Sequence, residues 1–367
     1  MKVCIVGCLP VKFGGRVNGG IASHISDLYD NLKNKGFDVC IFSNSIDCAN
    51  NSDVICYESV THLLINSIRG MFKFNFFKIN EHGFKARLKI LADAFTLSEI
   101  NKKGYSKFHV HSLNNSAAKS CEIAGLKYVV TDHAFWHGGT SISYIKENID
   151  KAEKIIAISD FSRRKIISIG IDSLRIVKIN NPIDKILTSK KEKPERIFRV
   201  YFNGISDGWE RKGLSKISSE LNDILGIENI ELVIVSDNES IIKLKRENAD
   251  IINSESLKIF GPLRRDENLS WLNSSDVFLS PSTSEGYSIA YLEAISLGVP
   301  VIGFEPNVKE INNILGREFC IGFDHYNDSI KESILEIKNR NEEKLVNVEQ
   351  FYWEQNIDKF IALYRSI

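Results

Sequence analysis

The 367-residue sequence lacks the long apolar runs that anchor a protein in a membrane. No stretch of about 18 or more apolar residues occurs, which argues against a transmembrane helix. The first apolar run is broken by Gly7 and Pro10 and is too short for a signal peptide. We therefore expect a cytoplasmic protein.

The sequence also lacks the cysteine patterns of disulfide frameworks and zinc sites. Its seven cysteines are an odd number, scattered along the chain, and no Cys-x-x-Cys pair or Cys/His cluster with zinc spacing is present. Most lie in apolar, strand-like segments. They are predicted to be reduced thiols within the core.

A net charge of zero conceals an uneven distribution. Residues 1–190 contain 26 Lys and Arg against 17 Asp and Glu, whereas the remainder contains 21 against 30. The basic half could face an anionic partner, such as a membrane surface or a phosphorylated acceptor, or the asymmetry could have no function.

Short β-branched runs alternate with helical stretches, a pattern typical of βαβ units and parallel sheets. The polar stretch 189–196 contains Pro194, lacks a hydrophobic period and is predicted to be a linker. The sequence thus predicts an α/β protein with two doubly wound, Rossmann-like domains, residues 1–188 and 197–350, facing each other across a cleft. Ligands bind such sheets at the carboxyl ends of the strands.

The segment Asn66–Ile90 combines basic and aromatic side chains. Such a segment can dock on an anionic bilayer surface; alternatively, its phenylalanines pack in the N-terminal core. No nucleic-acid-binding motif accompanies it, so no nucleic-acid partner is expected. Its basic, acidic and phenylalanine residues are Arg69, Lys73, Lys78, Lys85, Arg87, Lys89, Glu81, Phe72, Phe74, Phe76, Phe77 and Phe84.

The most informative block runs from Ser280 to Ala294. It follows a buried strand, contains Glu285-Gly286-Tyr287, and opens an apolar helix that carries Glu293. A helix N-terminus presents unpaired amides and suits a phosphate. Eight residues along a helix place the two glutamates roughly 12 Å apart on a similar face, which can bracket a diphosphate. The whole block resembles the Glu-x7-Glu motif of glycosyltransferase family four, whose members have the GT-B fold.

The resemblance extends over nearly the full chain and implies further site residues. Gly19 and Gly20 resemble the glycine-rich turn that approaches the donor phosphates or the acceptor, with Gly14-Gly15 as a second candidate. His133, which follows a buried strand, matches the family's histidine that faces the donor sugar. A lone histidine is more often structural than catalytic.

Arg211 and Lys212 match the family's basic pair that holds the donor diphosphate. Fixed cations are suited to a departing nucleotide that gains negative charge. The family often has Gly-Arg directly after the strand, whereas this chain has Gly204-Ile205 followed by a long loop. We therefore assign the role of the family's arginine to Arg211. A pair of solvated residues at a helix start is the alternative.

The remaining matches concern the donor. Ile259 and Phe260 resemble the strand end that reads the base, Glu293 is expected to bind the ribose, and the amides near Ser288 and Ile289 the phosphate. Residues 351–367 resemble the last helix, which crosses back onto the N-terminal domain. No Asp-x-Asp tripeptide is present, which fits transfer without a metal or other cofactor.

The resemblance implies a retaining glycosyltransferase that moves a sugar from a nucleotide-sugar to a glycan or lipid-linked acceptor. Glu285 would orient the sugar, and the leaving phosphate would take the acceptor proton; a covalent route through Glu285 is less favoured. Bacterial surface polysaccharide biosynthesis, at the inner face of the membrane, is the expected setting. Two alternatives stay open: a nucleotide-sugar epimerase on the same fold, and a non-catalytic partner subunit.

Overall fold

The computed structural model of the protein describes residues 1–17, 19–46, 51–76, 79, 83–111, 116–133, 141–205, 207–340 and 346–367. These residues form two compact units, Met1–Asp184 together with Phe351–Ile367, and Lys185–Gln350. The division between the units falls at 184/185, whereas the sequence predicted a linker at 189–196.

The described part of the first unit contains a seven-stranded, fully parallel sheet in the order β3-β2-β1-β4-β5-β6-β7. The strand order reverses direction between β1 and β4, which is the switch point where ligands bind in doubly wound sheets. The strands are β1 (Lys2–Gly7), β2 (Asp38–Ile46), β3 (Val54–Tyr57), β4 (Lys107–His111), β5 (Tyr128–Asp132), β6 (Lys154–Ala157) and β7 (Ile176–Lys178).

Helices cover both faces of this sheet, and each face has its own apolar core. Alternate residues of β1 enter the two cores: Cys4 and Val6 on one face, Val3 and Ile5 on the other. The helices are α1 (Gly20–Asn34), α2 (Val60–Lys73), α3 (Phe84–Lys102), α4 (Ala117–Ile123), α5 (Ile142–Ile149), α6 (Asp160–Ser168) and α14 (Trp353–Ser366).

The C-terminal helix α14 belongs to the core of the first unit. Trp353, Phe360 and Tyr364 are fully buried and pack in the same core as α1. Just before the helix, Ile183 donates its backbone N–H to Phe351 O at 2.9 Å, and Trp353 donates back to Ile183 O at 3.1 Å. These bonds anchor the returning chain beside the last residues of the first unit.

The second unit contains a six-stranded parallel sheet within its described residues, in the order β10-β9-β8-β11-β12-β13. Here the switch point lies between β8 and β11. The strands are β8 (Phe198–Gly204), β9 (Ile230–Ser236), β10 (Leu257–Phe260), β11 (Val277–Ser280), β12 (Val301–Phe304) and β13 (Ile321–Phe323). The helices are α7 (Leu214–Ser219), α8 (Leu221–Leu225), α9 (Asn238–Glu247), α10 (Arg265–Asn273), α11 (Ile289–Ser296), α12 (Glu305–Leu315) and α13 (Ile330–Asn339).

The predicted α/β class with two doubly wound parallel sheets is confirmed. Two strands, β3 and β13, were not predicted; they lie at sheet edges and contain four and three residues. An edge strand pairs on one side only, so it needs fewer residues and a weaker apolar pattern than a central strand.

Two further expectations concern burial. The six described cysteines are free thiols and five of them are buried, as expected for core residues; Cys48 lies outside the described residues. Burial raises the pKa of the Cys4 and Cys320 thiols, which keeps them protonated. None of the helices in the described part of the chain is both long and apolar enough to cross a membrane.

Candidate active site

The strongest polar contact at the switch point of the second unit joins two predicted site residues. Lys212 follows β8 and Glu285 follows β11, and these strands are neighbours in the sheet. The Lys212 ammonium donates to Glu285 Oε1 at 2.6 Å, although 73 residues separate the two in sequence. Adjacent parallel strands bring both loops to the same edge of the sheet.

The backbone fixes these two loops against each other. The N–H of Thr283 donates to Arg211 O at 3.0 Å. Gly213 has a left-handed φ of +85°, and a Cβ added there would lie 2.1 Å from Pro281 O. Only glycine permits this close approach. The loop that carries Arg211 and Lys212 is therefore held on the loop that leads to Glu285.

Arg211 adds a second cation. Its Nη1 lies 3.7 Å from Glu285 Oε1, and its Nε donates to Asp207 Oδ2 at 3.3 Å. Asp207 has a positive φ of 51°, which is uncommon for a residue other than glycine. Ser206, the first residue of the long loop noted in the sequence, lies outside the described residues.

The electrostatic balance keeps Glu285 ionised. Burial by itself would raise the pKa of Glu285, but Lys212 and Arg211 more than offset that effect, and the pKa is lowered. Lys212 and Arg211 face the buried Glu285, whereas the second carboxylate, Asp207, is mostly exposed. Two fixed cations side by side suit a diphosphate.

Helix α11 begins next to this cluster. Its N-cap is Ser288 and its first helical residue is Ile289; within the described chain, the Ser288 side chain makes no capping hydrogen bond. The first amides of the helix therefore keep their capacity to bind an anion. The loop before the helix is fixed by Asn307, which donates to Gly286 O at 3.0 Å.

Glu293 lies within α11 and is almost fully buried. Burial raises its pKa, and the nearby Arg265 opposes this rise. Arg265 Nη2 lies 2.7 Å from Glu293 Oε1, but Oε1 has no hydrogen bond of acceptable geometry among the described residues. This oxygen is buried in the structure, against the Arg265 guanidinium.

The predicted base-reading residues lie on an edge strand. Ile259 and Phe260 end β10, at the same carboxyl edge of the sheet, and both are partly exposed. The ring of Phe260 lies 5.2 Å from that of Trp271. The structure thus places the predicted donor-binding residues of the second unit on loops or element ends at the carboxyl edge of one sheet, except Glu293, which lies within α11.

In the first unit, His133 belongs to a cluster of buried histidines that the sequence prediction missed. His133 Nε2 lies 2.8 Å from His111 Nδ1, and the His24 ring centroid lies 4.9 Å from that of His133. The ring of His109 is tilted against that of His111, with centroids 4.1 Å apart, and its two nitrogens lie 2.7 Å from the Tyr364 hydroxyl and 2.6 Å from the Thr131 hydroxyl. The sequence carried a signal for this cluster: His111 ends β4, His133 follows β5 and His24 lies near the start of α1. All three elements meet at the switch point of the sheet.

Burial keeps these imidazoles neutral. It lowers the pKa of His133 and His109 to about 3, and lowers those of His24 and His111 well below their usual value. Neighbouring histidines add to the lowering of the pKa for His24, His109 and His111. Neutral imidazoles can donate or accept hydrogen bonds from a sugar without adding charge.

His24, His111 and His133 are also the one group of His, Cys, Asp or Glu in the described residues close enough to share a metal ion. Their ligand atoms lie within 4.8 Å of one another. The expected metal independence stays a prediction. Asp132 accepts a hydrogen bond from Ser162.

Gly19 and Gly20 open α1 beside this cluster. Gly19 is the N-cap with a φ of +126°, and an added Cβ would meet no described heavy atom within 4 Å. The backbone there is open to a ligand but favours glycine for its conformation. At the second candidate pair, a Cβ on Gly15 would lie 1.9 Å from Leu9 O, so that glycine packs against protein.

Two family models match the chain and together span most of both units. The model described as Glycosyltransferase Family 4 matches residues 18–185, and Glycosyl transferases group 1 matches residues 199–336. The chain belongs to glycosyltransferase family 4. The resemblance found in the Glu285 to Glu293 block is thereby confirmed, and the fold is of the GT-B type.

Similar proteins agree with this family and fold. The alpha-monoglucosyldiacylglycerol synthase of Streptococcus pneumoniae is 28% identical over 158 residues, a match that spans 39% of this chain and only 35% of that relative. Anabaena Alr3699/HepE, solved with UDP and glucose, has a TM-score of 0.72 at 14% identity, covering 100% of both chains. Thermosynechococcus elongatus sucrose-phosphate synthase gives 0.72 at 15%, covering 100% of this chain and 98% of the other.

The fold alone does not separate transferases from epimerases. The UDP-GlcNAc 2-epimerase of Methanocaldococcus jannaschii also matches, with a TM-score of 0.61 at 11% identity over 100% of both chains. The family models and the Glu-x7-Glu block favour the glycosyltransferase.

Proposed function

We propose that this glycosyltransferase family 4 chain transfers a sugar, with retention of configuration, from a nucleotide-diphosphate sugar to a glycan or lipid-linked acceptor. The observation that carries the proposal is the contact of Lys212 with Glu285 at the switch point of the second unit. It joins a cation for the phosphate to a carboxylate for the sugar, beside the N-terminus of α11.

In the proposed reaction the bond between the sugar C1 and the phosphate oxygen breaks first. Negative charge grows on the departing nucleotide, and Lys212, Arg211 and the amides near Ser288 and Ile289 stabilise it. The acceptor hydroxyl attacks C1 from the same face and gives its proton to the leaving phosphate oxygen. Glu285, kept ionised by its cations, orients the sugar hydroxyls, and Glu293 binds the ribose.

The roles proposed for the first unit rest on the family resemblance. His133 contacts the donor sugar, and the turn at Gly19 and Gly20 approaches the donor phosphates or the acceptor. We place the reaction in the cytoplasm at the inner face of the membrane, in bacterial surface polysaccharide biosynthesis. The names of the relatives support lipid or glycan acceptors, since one is a glucosyldiacylglycerol synthase.

The donor and the metal requirement can be tested together. We expect a matching nucleotide-sugar to raise the melting temperature in excess EDTA as much as with added magnesium or manganese, because cations of the protein neutralise the diphosphate. At about 100 times its Kd, a ligand adds about 2.7 kcal/mol of stability.

A panel of nucleotide-sugars, measured by thermal shift in both conditions, is the experiment. Stabilisation that disappears in EDTA and returns with metal would contradict the metal-independent account. The histidine group His24, His111 and His133 would then be the first place to look for the ion.

A further inference from the structure

Helix α2 presents an apolar stripe to the solvent. At about 100° per residue, its exposed apolar side chains fall within an arc of roughly 140° on one side of the helix. Phe72, near the end of the helix, is 89% exposed. The stripe consists of Val60, Leu64, Ile65, Ile68, Met71 and Phe72.

The opposite side of α2, which packs on α3, is mostly polar or small, with Leu63 as an apolar residue that packs on the core. Asn66 and Ser67 are buried there, and Asn66 Nδ2 donates to Thr96 Oγ1 at 3.2 Å. A Cβ on Gly70 would lie 2.4 Å from Leu91 O, so the two helices approach closely at that glycine. The usual polarity of a surface helix is therefore inverted, and the apolar stripe is not needed for the core.

Basic side chains border this stripe. Arg69 and Lys73 lie next to the stripe on the surface of the helix, and both are exposed. Lys73 is partly engaged, since its ammonium bonds Ser98 at 2.6 Å and lies 3.9 Å from Glu99. Lys85, beside the 67% exposed Phe84 at the start of α3, adds a further exposed cation.

The structure separates the phenylalanines of the Asn66–Ile90 segment into two groups. Phe74 and Phe76 pack on the small cluster of Ile79, Ile90 and Leu91, whereas Phe72 and Phe84 point outward. Phe77, Lys78 and Glu81 lie outside the described residues. Core packing thus accounts for one part of the segment only.

We propose that α2 is the surface that docks this protein on an anionic lipid bilayer, with the apolar stripe inserted at the interface and the basic residues facing lipid headgroups. A helix of 14 residues with one apolar side and a basic border suits an interfacial position. Charge complementarity selects this occupant. This proposal adds a membrane-docking surface to the proposed function. It rests on the proposed function only in placing the acceptor at the membrane.

The test uses the full chain and two kinds of vesicles, phosphatidylglycerol mixed with phosphatidylcholine and phosphatidylcholine alone. We expect wild type to cosediment with the anionic vesicles, and less so as salt shortens the screening length to about 3 Å at 1 M. The double variant Ile68→Asp with Phe72→Asp should bind these vesicles about tenfold more weakly or worse, because it removes two inserting side chains.

A matched control is Ile242→Asp on α9, where the isoleucine is 68% exposed and lies in the second unit. This control should bind vesicles like wild type, and all variants should keep the wild-type melting temperature and nucleotide-sugar binding. Retained nucleotide-sugar binding separates this proposal from the proposed function. Vesicle binding by the double variant equal to wild type would overturn the proposal. So would a wild-type dimer that the double variant converts to monomer, since a second copy would then cover the stripe.

Discussion

We expect Lys212→Ala and Glu285→Ala each to lower kcat by about 100-fold or more, the scale for removing one preorganised electrostatic group. Lys212 supplies a fixed cation next to the proposed leaving phosphate, and Glu285 both orients the sugar and holds that cation at 2.6 Å. Each variant leaves its partner without its closest opposite charge. Initial rates with the nucleotide-sugar identified by thermal shift are the measurement.

The control for this experiment is Lys216→Ala. Lys216 lies one turn further along the same segment, on α7, and forms an ion pair with Glu220 at 2.9 Å. It has comparable exposure but does not follow the carboxyl end of a strand. Its loss should leave kcat within a few-fold of wild type. If Lys212→Ala and Glu285→Ala both turned over at the wild-type rate while remaining folded, the assigned roles would be wrong.

A second large effect is expected on stability, because the first unit buries four neutral histidines. The unfolded chain takes up a proton on each of them as the pH falls through about 6.5. The folded chain keeps His109 and His133 neutral down to about pH 3, and the pKa values of His24 and His111 are also well below normal. The stability due to these neutral groups is complete above the unfolded pKa and is lost as the pH decreases.

Below pH 6 the unfolded state binds up to one extra proton per histidine. The free energy of unfolding then decreases by up to about 5 kcal/mol for each pH unit. Urea unfolding at pH 7.5, 6.5 and 5.5 measures it, with the fluorescence of Trp353, whose ring lies 5.2 Å from that of His24, as a reporter. The variant His62→Gln, outside the cluster, should show the same slope. Unfolding midpoints that do not change over this range would contradict the buried, neutral cluster.

The sequence predicted the fold class because central parallel strands leave a strong signal. Strands such as Lys2–Gly7 and Ile230–Ser236 are apolar along most of their length and are separated by helical periods. The edge strands β3 and β13 lacked that signal. The basic and aromatic residues of Asn66–Ile90 were also noted in the sequence, but only the structure showed that α2 turns an apolar side outward.

The candidate site residues were predicted one by one from the family resemblance, but the contacts among them were not predicted. The local sequence does not predict the contact between Lys212 and Glu285, because this contact depends on β8 and β11 being neighbours at the switch point. The same holds for the histidines. His24, His111 and His133 each read as a lone residue, and three different elements bring them together.

The measurement that tests the central claim most directly is the configuration of the first product, followed by proton NMR. Wild type is mixed with the α-configured nucleotide-sugar that stabilises it and with a saccharide acceptor. For a donor of gluco or galacto configuration, retaining transfer predicts that the first-formed glycosidic bond shows the small H1–H2 coupling of an α-linkage, together with release of the nucleoside diphosphate. A β-linked first product would contradict retention, and epimerised nucleotide-sugar formed without any acceptor would contradict glycosyl transfer itself.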